Sequence, residues 1–363
     1  MKKIIDSIWN VPVNVWNVPL SMVENGENEM NWALIGASTI AGQYMIDAIR
    51  AQGESQIGWV VSGNAEHAFA FAKKHDIAMA STELGAALAD NAVNAVYISS
   101  TNEKHFEQAM AAMSAGKHVL CEKPLSTSTA EAGKMILAAR NSGVVLGVNH
   151  HLRCAGSHRA IHDMISGGRI GRVLSVRVFH AVHLPEHLRG WRLDNPDAGG
   201  GVIPDLTVHN ADTVRFLLGE DPQSVTAEMA ATGMGKGVED SAMSIWTMPS
   251  GVMVFSHDSF NHPHAASGVE VHGTEGSILA QGIMAQDPLG RIELVNADGR
   301  SEVPFDKAGI YETAVREFET AVARGAKPAA TGTDGLKSLL VAEAVRKAAE
   351  TGRRQTVNYG VAV

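Results

Sequence analysis

Between residues 30 and 150, apolar residues come in short unbroken runs separated by longer stretches of helical period. The run Trp32-Ala-Leu-Ile-Gly36 reads as a buried strand and residues 41–52 as an amphipathic helix. Residues 57–61 form the second strand and 65–75 the second helix. Residues 95–99, 118–121 and 144–148 continue the strands, with helical patterns over 104–114 and 129–142 between them. Strands this apolar are buried on both faces, and their alternation with helices predicts a parallel sheet with right-handed crossovers. Residues 30–150 are therefore expected to form one doubly wound α/β domain.

After Asn149 the rhythm changes. A helical pattern over 159–166 leads into an alternating segment at 173–180, a long polar loop and a helix over 205–218. Four further alternating segments, at 224–230, 242–248, 252–258 and 268–273, are separated by turns such as Pro249-Ser-Gly251 and Gly273-Thr-Glu-Gly276. A period of two with Gly- and Pro-marked turns indicates antiparallel pairing. Helical patterns over 311–324 and 334–351 close the chain. Residues 151–363 thus read as an α+β domain built on a large, mainly antiparallel open sheet. Its cleft should face the carboxyl ends of the first domain's strands. Residues 1–29 stand apart: Ile8-Trp-Asn-Val-Pro12 is echoed by Val15-Trp-Asn-Val-Pro19, and the prolines break any apolar core. This stretch is expected to be a disordered extension or the product of an upstream start codon.

The first strand ends in Gly36-Ala37-Ser38-Thr39-Ile40-Ala41. A dinucleotide-binding turn carries small residues, usually Gly, at the first, third and sixth of these positions, so that a pyrophosphate can approach bare backbone at a helix N-terminus. Here they are Gly36, Ser38 and Ala41, a fit in spacing with an extra hydroxymethyl in the middle. The second strand ends in Ser62-Gly63-Asn64, where an NAD site would place a carboxylate on the ribose hydroxyls. Its absence removes repulsion against a 2′-phosphate and favours NADP(H). His67 on the following helix is the nearest cationic candidate, and NAD(H) stays possible because no arginine is there. Ser100-Thr101-Asn102 and His105 follow the strand at 95–99, in reach of the nicotinamide half of such a cofactor.

Lys123 follows the apolar strand 118–121 and precedes Pro124, which restricts the lysine's backbone at the sheet edge. Its ammonium can hydrogen-bond a substrate hydroxyl or carbonyl. Asp205 and His209 lie four residues apart and share one helix face, a carboxylate beside a group suited to proton exchange near neutral pH. Gly190-Trp191-Arg192 offers an aromatic beside a guanidinium in a glycine-bounded loop. The sixteen histidines raise the question of zinc, with His180, His183 and His187, His262 and His264, and His150 and His151 as candidates. None of these forms a closed four-ligand set at structural-zinc spacing, so no metal is expected, and a sugar-hydroxyl pocket accounts for them better.

Composition narrows the partners. The net charge of -9 is spread without a basic patch, which argues against nucleic acid and anionic membranes. No apolar run approaches the ~18 residues of a membrane span. Two cysteines, Cys121 and Cys154, cannot build a disulfide framework, and a reduced cytoplasmic setting follows.

Gly36-Ala-Ser-Thr-Ile-Ala41, Glu122-Lys-Pro-Leu125 and Asp205-x3-His209 together resemble the glucose-fructose oxidoreductase / inositol dehydrogenase / rhizopine-catabolism (Gfo/Idh/MocA) family from about residue 30 onward. The resemblance implies a Rossmann domain and an NADP(H)-linked sugar oxidoreductase. Reduction of a keto-sugar, 1,5-anhydro-D-fructose to 1,5-anhydro-D-mannitol first among them, is the implied reaction. Oxidation of a pyranose or inositol hydroxyl, or a non-catalytic dinucleotide-binding regulator, are the alternatives. By the same resemblance Lys123, Asp205 and His209 are catalytic and meet the sugar together with His151. Gly36, Ser38, Thr39, Ile40, Ala41, Ser62, Glu122, Lys123, Trp191 and Arg192 line the cofactor, with His67 where NADP-dependent relatives carry an arginine. The expected partner is a small sugar, and the protein is either a monomer or a homo-oligomer.

Overall fold

A computed structural model describes residues 30–360; the expected N-terminal extension, 1–29, lies outside the described residues. The first sheet has six strands: β1 (Asn31–Ile35), β2 (Gln56–Val61), β3 (Met79–Ser81), β4 (Ala95–Ile98), β5 (His118–Cys121) and β6 (Leu146–Val148). They lie in the order β3-β2-β1-β4-β5-β6, and every pair is parallel. The order reverses between β1 and β4, so the loops leaving those two strands diverge and open a crevice. Trp32, Leu34, Val96, Tyr97 and Ile98 are fully buried, as expected of strands covered on both faces. β3 was not expected; three residues carry too short an apolar signal.

The second sheet has nine strands: β7 (Val173–Ala181), β8 (Ser224–Ala230), β9 (Ser241–Thr247), β10 (Met253–Ser259), β11 (Gly268–Gly273), β12 (Gly276–Gln281), β13 (Arg291–Asn296), β14 (Gly299–Glu302) and β15 (Gln355–Thr356). Their order is β14-β13-β12-β11-β7-β10-β9-β8-β15. One pair, β7 with β10, runs parallel, so the sheet is mixed although mainly antiparallel. That pairing sets His180 opposite Asp258 in the middle of the sheet. The last four strands were not anticipated: β14 is exposed throughout and β15 has two residues, so neither offers an alternating pattern. Helices Val208–Leu218 and Gly332–Thr351 cover the inner face. Thr331 and Asp334 start the second of these with a reciprocal capping box.

One helix departs from the expected division of the chain. Ile310–Arg324, expected with the second sheet, returns to the first: Phe318 packs on Trp32 with ring centroids 5.3 Å apart. The indole N–H of Trp32 donates to Glu319 Oε1 at 3.0 Å, and the Ser55 hydroxyl donates to the same oxygen at 2.7 Å. The returning helix packs on the helix Ile46–Arg50 and on the turn His151–Cys154.

Candidate active site

The turn after β1 is built as a phosphate-binding turn requires. Gly36 has φ +114°, and a Cβ there would sit 2.8 Å from Ser100 N, so only glycine fits. Ser38, an obstacle on sequence grounds, is folded away: its hydroxyl donates to Ser99 Oγ at 2.7 Å and accepts from the Ala41 N–H at 3.1 Å. It thus caps one of the four N–H groups that a helix leaves unpaired in its first turn, leaving the others, on the Thr39 and Ile40 side, for an anion. The helix opens with a π turn, Ala41–Met45, before Ile46–Arg50. Beside it, Asn64 caps the helix Ala65–His75 by accepting from the His67 N–H at 2.9 Å, which holds the His67 ring 3.3 Å from Ser62 Oγ. Both side chains stand at the carboxyl end of β2; the residues that end the strand, Ser62-Gly63-Asn64, carry no carboxylate, and Glu66 in the first turn of the helix is the nearest one in sequence. These residues fit a nicotinamide dinucleotide.

The loop after β4 is largely tied up. Ser100 Oγ donates to Gln108 Oε1 at 2.6 Å and Thr101 Oγ1 to Glu103 Oε1 at 2.6 Å. Asn102 crosses the cleft, its amide donating to Gly199 O at 3.3 Å. His105 corrects the sequence reading: it is fully buried, with its ring nitrogens 2.8 Å from Pro124 O and 3.2 Å from Ser100 O. It is a strut between the two loops and turns no ring atom toward a ligand. Glu122 is likewise spent within the first domain. Its Oε1 accepts from Tyr97 Oη and Asn149 Nδ2, both at 2.6 Å, and its Oε2 accepts from the Lys123 N–H at 3.3 Å. Glu122 braces the backbone under the lysine instead of reaching outward.

Lys123, preceding Pro124 through a cis peptide, crosses from the first sheet to the second. Its Nζ donates to Asp205 O at 2.8 Å and to Asp205 Oδ1 at 2.6 Å. Asp205 lies in a π turn, Ile203–Thr207, that opens the helix Val208–Leu218, and π turns gather at functional sites. Arg192 Nε stands 3.6 Å from the other carboxylate oxygen, and the same guanidinium stacks on Trp191 at 4.5 Å. Burial pushes the Asp205 carboxyl up, but Lys123 and Arg192 more than offset it and hold it below the usual carboxylate value. The site therefore carries a lysine and an arginine clamped on one carboxylate.

Around His209 the structure sets three more imidazoles. His151, His180 and His150 lie with ring centroids 5.1, 5.7 and 6.2 Å from it. Burial, followed by the Lys123 charge, pushes His209 well below its ordinary pKa. The same two causes put His151 at about 3. Burial brings His180 and His150 to about 4. All four rings are therefore neutral near pH 7, and Lys123 supplies the positive charge among them. His151 also stacks on Tyr311 at 5.1 Å, and Tyr311 on Tyr44 at 4.9 Å, so the helix that returns to the first domain forms one wall.

The structure thus unites Lys123, Asp205, His209, His151 and Arg192 and sets Ser62 and His67 at the neighbouring turn. His180 and His150, read from the sequence among the histidines of a sugar-hydroxyl pocket, do stand in the wall of the site, whereas Tyr97, Asn149 and Tyr311 were missed. Asn149 could have been found, because it leaves the carboxyl end of β6 beside Lys123; Tyr311 carries no local signal. His183 sits on Arg189 at 3.3 Å, and among the described residues no group of three or more His, Cys, Asp or Glu is arranged to hold a metal.

Two family models match this chain. The model for the oxidoreductase family with an NAD-binding Rossmann fold covers residues 30–150, and that for the GFO/IDH/MocA C-terminal domain covers 158–279. The chain belongs to the GFO/IDH/MocA oxidoreductase family. It is 50% identical over 331 residues to the 1,5-anhydro-D-fructose reductase of Ensifer adhaerens, spanning 91% of this chain and 99% of that one. It is 29% identical to D-xylose 1-dehydrogenase (NADP(+)) 2 of Haloferax volcanii, over 89% of this chain and 98% of that one. Aldose-aldose oxidoreductase from Caulobacter crescentus, solved with glycerol, shares the fold with a TM-score of 0.84 at 23% identity, over 90% of this chain and 99% of that one. Membership in an oxidoreductase family and a nucleotide-binding turn agree on nicotinamide-linked chemistry.

Proposed function

We propose that this protein is an NADP(H)-dependent reductase of keto-sugars, with 1,5-anhydro-D-fructose as its first substrate and 1,5-anhydro-D-mannitol as the product. The observation that carries the proposal is the 2.6 Å contact by which a lysine of one sheet meets a carboxylate one helical turn from a buried histidine of the other. The half-identity to a reductase of that sugar supports the substrate. The bare Ser62-Gly63 end of β2, beside His67, supports a 2′-phosphate.

The chemistry that a bound nicotinamide nucleotide would supply is hydride exchange with the sugar carbon. The turn from Gly36 to Ala41 would hold its pyrophosphate, Ser62 and His67 its adenosine ribose, and Trp191 and Arg192 the side nearer the cleft. Lys123 donates a hydrogen bond to the sugar oxygen and stabilises negative charge developing there. Asp205 fixes that ammonium in place and, through its second oxygen, Arg192. His209 transfers the proton: its protonated form gives it to the alkoxide in reduction, and its neutral form takes it from a hydroxyl in oxidation. Buried rings and stacked tyrosines keep water from competing.

A second reading, dehydrogenation of a pyranose or inositol hydroxyl, draws on the neutral resting state of His209, which is ready to act as a base. A non-catalytic regulator would have no use for Lys123, Asp205 and His209 in one cleft. Turnover of reduced nucleotide with a panel of keto-sugars, and of oxidised nucleotide with xylose, glucose and inositols, tests these readings. Preferred NADPH oxidation with 1,5-anhydro-D-fructose is expected. Nucleotide binding with no turnover in either panel would refute the proposal.

A further inference from the structure

Asp205 sits in a turn that holds one residue more than an α turn, and something must keep that surplus in place. The π turn Ile203–Thr207 carries Asp205 at its centre, and the helix Val208–Leu218 that follows carries His209. Moving the surplus one position along the helix exchanges backbone hydrogen bonds of the same kind and turns the residue it passes by about 100°. Backbone bonding alone therefore does little to fix the direction in which Asp205 leaves the helix.

Side chains fix it from both ends. At the front, Glu239 Oε1 accepts from the Ile203 N–H at 3.1 Å, and Arg346 holds that carboxylate with hydrogen bonds of 2.9 and 3.1 Å. At the back, Asp258 of β10 is fully buried, and among the described residues no cation pairs with it. Its Oδ2 accepts from Thr207 Oγ1 at 2.7 Å and from Ser256 Oγ at 3.3 Å. Its Oδ1 accepts from Asn210 Nδ2, which also donates to Ser256 Oγ at 2.9 Å. The amide must present its nitrogen here, because its oxygen would meet a carboxylate oxygen. Thr207 and Asn210 are three residues apart and reach one carboxylate only where the helix between them is α. The surplus residue is thereby kept ahead of Thr207, with Asp205 between the two attachments.

We propose that Asp258 is a positioning residue for the catalytic centre: by holding Thr207 and Asn210 it locks the π turn ahead of His209 and so aims Asp205 at Lys123. Asp205 in turn meets Lys123 Nζ at 2.6 Å and Arg192 Nε at 3.6 Å. The inference rests on Lys123 and Asp205 taking part in the reaction, whatever the sugar. The attachment needs an acceptor toward Asn210 and any hydrogen-bonding group toward the two hydroxyls. An amide can therefore replace the acid, and an alkyl group cannot.

The test has two arms. In the first, amide hydrogen exchange of the full-length protein, without sugar or nucleotide, compares wild type with Thr207→Val, which removes the hydroxyl and keeps the side chain's shape. Exchange over residues 203–210 should quicken by about tenfold, with residues 224–230 unchanged. Unchanged exchange over 203–210 would overturn the proposal before any substrate is known. The second arm measures turnover of 1,5-anhydro-D-fructose, or of whichever sugar in the two panels the wild type uses. Thr207→Val should lower kcat by about tenfold and Asp258→Leu by about 100-fold, with the NADPH dissociation constant unchanged. Thr207→Ser and Asp258→Asn should stay within about threefold of wild type. A double-mutant cycle with Lys123→Met separates positioning from a merely structural role. Once the ammonium is gone Asp205 has nothing to aim, so Thr207→Val should lower kcat by less than about twofold in that background. Equal losses in both backgrounds, or wild-type kcat in folded Thr207→Val, would overturn the proposal.

Discussion

Lys123→Met removes the ammonium and keeps much of the side chain's length, which makes it a direct probe of the site. The lysine holds two hydrogen bonds to Asp205, at 2.6 and 2.8 Å, in a pair only 12% and 15% exposed. Breaking a fully buried pair costs about 3–5 kcal/mol. Here Arg192 remains 3.6 Å from the carboxylate, so the stability loss should be about 1–3 kcal/mol. Catalysis should lose more: removing one preorganised donor from a developing oxyanion costs about 100- to 1,000-fold in kcat. The variant should therefore remain folded and bind NADPH, with its kcat for 1,5-anhydro-D-fructose reduced by that factor. The pH profile carries a second signature. The Lys123 charge helps depress His209, so its removal should shift the titration limb assigned to His209 to higher pH. Absorbance of reduced nicotinamide gives kcat and KM across pH, and circular dichroism gives the folded fraction. A folded variant whose kcat stays within about threefold of wild type would remove the lysine from the oxyanion role.

Four other outcomes follow from the same geometry. His67→Arg, which places a permanent charge beside Ser62, should lower the NADPH KM by about tenfold and leave the NADH KM unchanged, as steady-state kinetics with both nucleotides would show. Because reduction consumes the protonated form of a depressed His209, kcat for reduction should rise as pH falls from neutrality, while oxidation, which uses the neutral form, should hold until the pH is well below 6.5. His150, His158 and His180 at about 4 and His151 at about 3 are neutral in the fold, so the unfolded chain binds more protons below pH 6.5. Stability should then fall with acidification through that window by about 1.4 kcal/mol per pH unit for each ring, with Asp258, raised to about 7, opposing by one proton; denaturant titrations at several pH values measure this. Asp212→Ala strips Arg153 of two 2.7 Å hydrogen bonds but leaves it Asp334 at 3.0 Å, and should cost about 1–3 kcal/mol in urea unfolding.

The parallel sheet was legible because each of its longer strands is an apolar run that no other environment would tolerate. Gly36, Lys123, Asp205 and His209 were legible because backbone geometry or proton chemistry restricts what can stand there. The second sheet was only half visible: β14 has no buried residue, and the parallel pairing of β7 with β10 joins segments too far apart for any local pattern to reveal. His105 and Glu122 misled because a residue type suited to ligand contact can equally brace a loop, and only its partners decide which. Ser38 misled in the other direction, since its hydroxyl completes the turn it was expected to obstruct. Tyr311 comes from a helix whose own sequence places it with the wrong sheet, and only the packing of Phe318 on Trp32 brings it to the cleft.

The most direct measurement is a crystal structure of the protein with NADP(+) and 1,5-anhydro-D-mannitol. The account predicts the 2′-phosphate at Ser62 and His67, and the reacting hydroxyl within hydrogen-bond distance of both Lys123 Nζ and the His209 ring, on the same side of the nicotinamide. A sugar seated with that hydroxyl away from both side chains would contradict it.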